Sequence, residues 1–201
     1  MAEKLTIEIF RRKDAEELSA ALADPESRTA VGSGAAMTAA IAAAWLHRAA
    51  MLCVGEDERL AWLRRNSETL RIYMVRLIDE DVNCRGPLRR ALREGDAHAI
   101  EAAYQPAVAI AQEIVNMMGQ ALELLEETAA RTSTEGKTYC AAGAELALSA
   151  IKASMRYILD MSAASSDETY RFVIRRENEI TLEQAAAACE RVLKLSCNRT
   201  A

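Results

Sequence analysis

The chain has few of the residues that build turns and sheets. Its 201 residues include only 3 prolines and 8 glycines, and aromatic residues make up 4% of the total. Ala, Leu, Glu, Arg and Met instead dominate the long segments, and these residues favour helices. We therefore expect an all-α protein, a single-domain multi-helix bundle that spans residues 1–201.

Histidine is also scarce, and the cysteines follow no metal-binding pattern. Two histidines, His47 and His98, leave little material for a histidine-rich metal site or for a serine-histidine-aspartate triad. The five cysteines are odd in number and form no CxxC, which argues against a disulfide framework and against a zinc ribbon. The sequence therefore predicts no metal site and a protein of the reducing cytoplasm.

Neither an excess of basic charge nor a long apolar run is present. With 25 basic and 30 acidic residues the formal net charge is -5, which gives no reason to expect a nucleic-acid partner. The uncharged run from Thr29 to Leu46 reaches only about the minimum length of a membrane span, consists mostly of alanine, and ends at His47-Arg48. We expect no membrane partner.

Apolar periodicity and capping residues divide the chain into helices. Ser33 is positioned to cap the second helix, and Ser165 with Glu168, like Thr181 with Gln184, has capping-box spacing. Pro87 predicts a break after the third helix, and Pro106 either kinks the fourth or marks its first turn. The predicted helices are 13–23, 34–53, 57–83, 97–131, 138–163, 167–176 and 182–196.

The third helix carries a seam of apolar residues that ends in a carboxylate. Positions three and four apart place Leu70, Met74, Leu77 and Asp81 on one face. If Asp81 continues this seam, burial would raise its pKa and suit it to acid or base chemistry. Alternatively the seam ends before it, and Asp81 lies in solvent.

A glycine pair opens the small-residue second helix. Gly32-Ser33-Gly34 matches neither the phosphate loop GxxxxGK[ST] nor the dinucleotide fingerprint GxGxxG. The alanines from Ala35 to Ala43 instead allow a neighbouring helix to approach closely. Free N–H groups at the start of this helix suit an anion or the polar edge of a ligand.

Taken in order, these motifs resemble the cyclodeaminase/methenyltetrahydrofolate cyclohydrolase family, which includes the C-terminal domain of formiminotransferase-cyclodeaminase. The family has a glycine-rich loop, an acidic motif at the end of a long helix, a helix with a proline near its start, and a Ser-Asp-Ala-Gly segment. The corresponding segments here are Gly32-Ser33-Gly34-Ala35, LIDEDV (residues 77–82), AYQPAVAIAQEIVNMM (residues 103–118) and Cys140-Ala141-Ala142-Gly143.

The resemblance implies a homodimeric helical enzyme of one-carbon folate metabolism. Its substrate would be a tetrahydrofolate derivative, and no metal or other cofactor is implied. The reaction would hydrolyse a methenyl bridge or remove ammonia from a formimino group, with a carboxylate as acid or base. We expect Asp81 to be that group, with Asp79 as second candidate. The resemblance also implies ligand binding by Gly32, Ser33, Gly34, Arg156 and Asp160.

The chain departs from the family at several of these positions. Ser33 replaces a glycine, Ala35 replaces the loop serine, and Cys140-Ala141 replaces a Ser-Asp pair. Arg156 and Asp160 stand where the family often has asparagine, on a polar line of the fifth helix that is also typical of a solvated face. These changes leave two alternatives open. One is a non-catalytic helical dimer that binds a folate or another small molecule, and the other is an unrelated helical interaction module.

Overall fold

The computed structural model describes residues 9–27, 31–163, 165 and 167–197. Within these residues a short 3-10 helix is followed by six α-helices and there is no strand, so the all-α prediction is confirmed. The 3-10 helix spans Phe10–Arg12, and the α-helices are α1 (Ala15–Ala23), α2 (Val31–Met51), α3 (Glu58–Glu94), α4 (Ala97–Arg131), α5 (Thr134–Ser162) and α6 (Glu168–Cys197).

The alanine-rich α2 packs chiefly against α3 and α5, and less extensively against α4. The alanines on its inward faces are buried, including Ala36, Ala39 and Ala43 at 0% exposure. A Cβ added to Gly143 of α5 would lie 3.4 Å from the backbone oxygen of Ala42, which shows how closely α2 and α5 approach. The small residues therefore serve close helix packing, as predicted.

Helix α3 is longer than predicted, because it runs through Pro87 and ends at Glu94. A proline inside a helix removes one backbone hydrogen bond and costs about 3 kcal/mol. Two features offset this cost: Leu88, directly after the proline, and Ala91, one turn later, are both buried, and the exposed Asn83 can offer its freed carbonyl to water. The helix stops instead at Gly95, whose φ of 69° is the left-handed conformation that glycine adopts readily.

The last two predicted helices are one continuous helix, α6. No glycine or proline interrupts residues 168–197, so the capping-box spacing of Thr181 and Gln184 does not start a new helix. The cap at the start of α6 is Asp167, whose carboxylate accepts from the backbone N–H of Tyr170 at 3.0 Å. Ser165 accepts from the N–H of Asp167 instead of capping the helix itself.

Two other helices begin earlier than predicted, and one proline lies deeper. Ser33 is not the cap of α2, because that helix already begins at Val31. Helix α5 begins at Thr134, where Ser133 accepts from the N–H of Gly136 at 3.2 Å. Pro106 lies in the third turn of α4 and not in its first.

No helix in the described part of the chain combines the length and the apolar character that are needed to cross a lipid bilayer.

Candidate functional site

The carboxylate of Asp81 lies in the interior, where α3 passes the start of α2. The seam that leads to it is buried as predicted: Leu70, Met74, Leu77 and Asp81 all point inward, and Asp81 is 0% exposed. The alternative in which Asp81 lies in solvent is therefore wrong. Helical periodicity carries the charge into the core because Asp81 follows Leu77 by one turn.

The first turn of α2 contacts this carboxylate directly. Ser33, itself fully buried, donates its hydroxyl hydrogen to Asp81 Oδ2 at 2.7 Å. A Cβ added to Gly32 would lie 2.0 Å from Asp81 Oδ1 and 2.6 Å from Cγ, so this position accommodates only glycine. The start of a helix also carries partial positive charge, which favours an anion here. Gly32 and Ser33 thus hold the carboxylate, whereas Gly34 faces the side chain of Leu22.

Of the two carboxylate oxygens of Asp81, Oδ2 accepts a hydrogen bond in the described structure and Oδ1 does not. Oδ1 is buried and has no hydrogen-bond partner among the described residues. Burial raises the pKa of the Asp81 carboxyl, against smaller opposing effects of the Ser33 hydroxyl, of the nearby Arg85 charge and of the Ser33 backbone N–H. The group therefore keeps its proton to higher pH than an exposed aspartate does. A carboxyl with a raised pKa and a free oxygen is equipped to pass a proton to or from a ligand.

This raised pKa predicts that Asp81→Asn stabilises the fold, and increasingly so as pH rises. The folded protein binds the Asp81 proton more tightly than the unfolded chain does. The corresponding stabilisation is therefore complete below the usual pKa of 3.8 and is lost as pH rises toward the folded value. Asparagine has no such loss. Thermal unfolding of both proteins from pH 4 to pH 8 should show the difference in Tm growing in favour of the variant. A difference that stays constant or shrinks would contradict the prediction.

Arg85 and Tyr157 lie near Asp81, and Tyr104 lies near Tyr157. Arg85, one turn further along α3, places its guanidinium over the ring of Tyr157 from α5, 5.3 Å from the ring centroid. Tyr104 from α4 packs edge-to-face against Tyr170 at 5.9 Å. Both Tyr104 and Tyr157 are almost completely buried, at 2% and 5% exposure. Burial raises the pKa of both phenols, so they stay protonated at neutral pH.

These neighbours share an unusual deficit of hydrogen bonds. In the described part of the chain, Arg85 Nη1, Tyr104 OH and Tyr157 OH are buried and unpartnered, like Asp81 Oδ1. Leaving one buried polar group unsatisfied costs about 1–3 kcal/mol, and native proteins contain few such groups. Four of them on three helices indicate a place that is built to receive polar atoms from a ligand or from water. We call Asp81, Arg85, Tyr104 and Tyr157 the polar cluster.

The structure places Asp79, the second predicted carboxylate, away from this cluster. It accepts from the backbone N–H of Arg11 at 3.0 Å and forms an ion pair with the Arg11 guanidinium at 3.2 Å. It therefore fastens the N-terminal 3-10 helix to α3. The two carboxylates point differently because residues two apart on a helix do not share a face.

Arg156 and Asp160 also lie apart from Asp81. They are exposed on α5 and pair with each other at 3.0 Å, one turn apart. Their side chains keep 78% and 51% of their accessible surface. The polar line of α5 is thus a solvated, ion-paired face in the described structure, and an exposed pair of this kind adds little stability.

Other reactive side chains lie elsewhere or are enclosed. Cys140, for which the resemblance implies a serine in the family, is fully buried, and burial raises the pKa of its thiol to about 12. His47 bridges Ser67 at 3.0 Å and Glu68 at 3.8 Å, which resembles a catalytic triad. Ser67 is fully buried, however, and donates its hydroxyl hydrogen to the backbone oxygen of Arg64. This serine is therefore not available as a nucleophile.

No group of three His, Cys, Asp or Glu side chains that could hold a metal ion occurs within residues 9–27, 31–163, 165 and 167–197.

Sequence reasoning missed Arg85, Tyr104 and Tyr157 as site residues. Arg85 follows Asp81 by four positions, so it continues the same face, but the break expected near Pro87 placed it beyond the end of the predicted helix. The tyrosines fall on the inward-facing stripes of α4 and α5. A buried tyrosine usually has a hydrogen-bond partner for its hydroxyl, so a tyrosine on a predicted inward face indicates a polar group or ligand nearby.

A protein-family model described as formiminotransferase-cyclodeaminase matches residues 14–179, a range that contains the whole polar cluster and the start of α2. The chain belongs to this family. The resemblance inferred from the motif order is thereby confirmed.

A solved member of similar shape is the formiminotetrahydrofolate cyclodeaminase of Thermotoga maritima. It superposes with a TM-score of 0.83 over 92% of this chain and 96% of its own length, at 17% sequence identity. At that identity the likeness establishes the cyclodeaminase fold. No curated protein matches the chain.

Proposed function

We propose that the chain is an enzyme of one-carbon folate metabolism, of cyclodeaminase or cyclohydrolase type, with Asp81 as its acid and base. The observation that carries this proposal is the state of the Asp81 carboxyl: fully buried, held by Ser33, and free at Oδ1. Such an arrangement destabilises the fold, because a buried charge without full compensation is costly. Groups of this kind are concentrated at functional sites. Membership of the family gives the substrate class, a tetrahydrofolate derivative.

In the deamination reaction, N10 of the folate attacks the formimino carbon on N5, and the N10 proton passes to the formimino nitrogen. Protonated Asp81 then gives its proton to this nitrogen, the carbon–nitrogen bond breaks, and ammonia leaves a methenyl bridge between N5 and N10. The raised pKa of the Asp81 carboxyl supplies the protonated form that this step needs.

In the hydrolysis reaction, water adds to the methenyl carbon while ionised Asp81 accepts one of its protons. Asp81 then returns this proton to N5 as the bond between N5 and the tetrahedral carbon breaks, the hydroxyl on that carbon loses its proton to solvent, and a formyl group remains on N10. Ser33 and the first turn of α2 steady the ionised carboxylate in this direction. One carboxyl can therefore act in either reaction, according to its protonation state on substrate binding.

The second candidate is a folate- or small-molecule-binding helical dimer without catalysis. It is favoured by Cys140, an inert buried thiol where the resemblance implies a serine, and by Arg156 and Asp160, which pair with each other in solvent. These residues contribute no group to Asp81. Under this candidate the polar cluster binds a ligand and transfers no proton.

Three measurements on the unmodified protein separate the candidates. Ammonia release from formiminotetrahydrofolate reports deamination, loss of methenyltetrahydrofolate absorbance reports hydrolysis, and calorimetry with tetrahydrofolate reports binding. We expect turnover in one of the first two. Binding without turnover selects the second candidate. If the protein shows neither folate binding nor turnover, both the enzymatic proposal and the folate-binding candidate are overturned.

The proposal includes a homodimer in a reducing compartment such as the cytoplasm. Large apolar side chains are exposed on α2 and α6, notably Val31, Met51 and Phe172, and they offer surface for a second copy. All five cysteines have free thiols. Light scattering at micromolar concentration should give twice the chain mass of 22.0 kDa, and a monomer would count against the dimer.

A further inference from the structure

The guanidinium of Arg85 has a donor to spare in the interior. Its Nη1 is buried and has no acceptor among the residues that the structure describes. Its face is already occupied, because it lies over the ring of Tyr157. The negative face of the tyrosine ring attracts the guanidinium, which favours this position of the arginine side chain.

The neighbouring carboxylate does not satisfy that donor. Asp81 and Arg85 are one turn apart on α3, a spacing that commonly gives an ion pair. Yet Asp81 Oδ1 and Arg85 Nη1 each remain without a hydrogen-bond partner in the described structure. Asp81 and Arg85 share one face of α3, so a ligand that reaches both side chains must present a donor to Asp81 Oδ1 and an acceptor to Arg85 Nη1.

We propose that Arg85 binds the carbonyl oxygen at position 4 of the pterin ring while Asp81 contacts the one-carbon unit. In a tetrahydrofolate this carbonyl lies on the same edge of the ring as N5, the nitrogen that carries the one-carbon unit. Cβ atoms of residues four apart on a helix are about 5–6 Å apart. A ligand with its one-carbon unit at Asp81 therefore offers its next acceptor to Arg85.

The buried tyrosines complete the selection for a 4-oxo ring. The ring of Tyr157 lies against the guanidinium of Arg85. The hydroxyls of Tyr157 and Tyr104 have no hydrogen-bond partner among the described residues and stay protonated at neutral pH, so they offer two further donors. A carbonyl oxygen at this ring position accepts hydrogen bonds from these donors. An amino group at the same position presents its own N–H donors to them, and no hydrogen bond forms. Sites that are built to hydrogen-bond one polar group reject analogues that lack it.

This assignment rests on the proposed folate function, and a comparison of two ligands tests it. 4-Amino-4-deoxytetrahydrofolate differs from tetrahydrofolate in having an amino group in place of the carbonyl at position 4, and its adjacent N3 carries no proton. Calorimetry under anaerobic conditions should show that the unmodified protein prefers the 4-oxo compound at least about tenfold. Arg85→Met should lose this preference by weakening the binding of the 4-oxo compound about tenfold to hundredfold. The exposed Arg93→Met, with the same charge change on the same helix, should keep it.

A second variant, Arg85→Gln, separates loss of the ligand contact from a folding defect that Arg85→Met could cause. Arg85→Gln keeps a polar side chain that both donates and accepts, and it should bring the two affinities within about threefold of each other. Equal affinities in the unmodified protein, or a preference that survives both variants, would overturn the role of Arg85 while leaving folate turnover by Asp81 intact. If the unmodified protein binds no tetrahydrofolate, the proposed function fails and this inference fails with it.

Discussion

Asp81→Asn is expected to lower kcat by about a hundredfold to ten-thousandfold, the contribution typical of a positioned acid or base. Asparagine has nearly the same shape, and its side-chain oxygen can still accept from Ser33, so the architecture around α2 is retained. It cannot carry the transferable proton. Folate affinity measured by calorimetry should change only a few-fold, which separates a loss of chemistry from a loss of binding.

The matched comparison is Asp79→Asn, two residues earlier on the same helix. It removes the ion pair with Arg11 and should leave kcat within about twofold, because the structure gives Asp79 a fastening role. If Asp79→Asn lowered kcat as strongly as Asp81→Asn, the assignment of the acid and base to Asp81 would be wrong.

Gly32→Ala is expected to lower both stability and activity, because the added methyl group meets the Asp81 carboxylate. The new Cβ would overlap Asp81 Oδ1 and Cγ, so the Asp81 side chain must move and its hydrogen bond from Ser33 is disturbed. We expect the stability to fall by about 1–3 kcal/mol, as for other overpacked cores. We also expect kcat to fall about a hundredfold, since a displacement of about 1 Å has this effect on positioned groups.

Gly34→Ala provides the control two residues further along α2. Its Cβ would lie 3.7 Å from Leu22 Cδ2, an ordinary contact. This variant should raise stability by about 0.4–1 kcal/mol, because alanine loses less conformational freedom on folding than glycine does. Denaturant unfolding and steady-state kinetics of both variants would decide the matter. A harmless Gly32→Ala would show that the carboxylate is not held as described.

Local pattern placed Asp81 on the apolar face of α3 but left open whether it is buried, because a single helix period determines only which residues share a face. The seam from Leu70 to Asp81 needed no knowledge of other helices. The same reasoning located the close-packing alanines of α2. Here sequence and structure agree because one interaction, burial of an apolar face, dominates.

Prediction failed where tertiary packing overrode a local signal. Pro87 breaks helices in isolation, but buried Leu88 and Ala91 hold α3 together beyond it. Thr181 has the spacing of a cap, yet nothing stops the helix there. Both errors concern helix ends, where local preferences of about 1–3 kcal/mol compete with packing of similar size.

The contacts of the glycine loop could not be predicted, for a different reason. From sequence, the residues Gly32, Ser33 and Gly34 offered their backbone to a ligand. The structure instead turns Gly32 and Ser33 onto Asp81, 48 residues away from Ser33 along the chain. Contacts between residues this distant in sequence, like the stacking of Arg85 on Tyr157, depend on how α2, α3 and α5 pack, and no periodicity reports them.

The most direct test of the account is the position of a bound folate. A crystal structure with tetrahydrofolate should place the N5–N10 edge of the ligand within hydrogen-bond reach of Asp81 Oδ1, about 2.6–3.2 Å or through one water. The opposite result is also well defined. Between α3 and α4 lies a groove of about 400 Å³ lined by Trp62, Tyr73 and Met117. A folate bound in that groove, with Asp81 still enclosed and out of reach, would contradict the central claim.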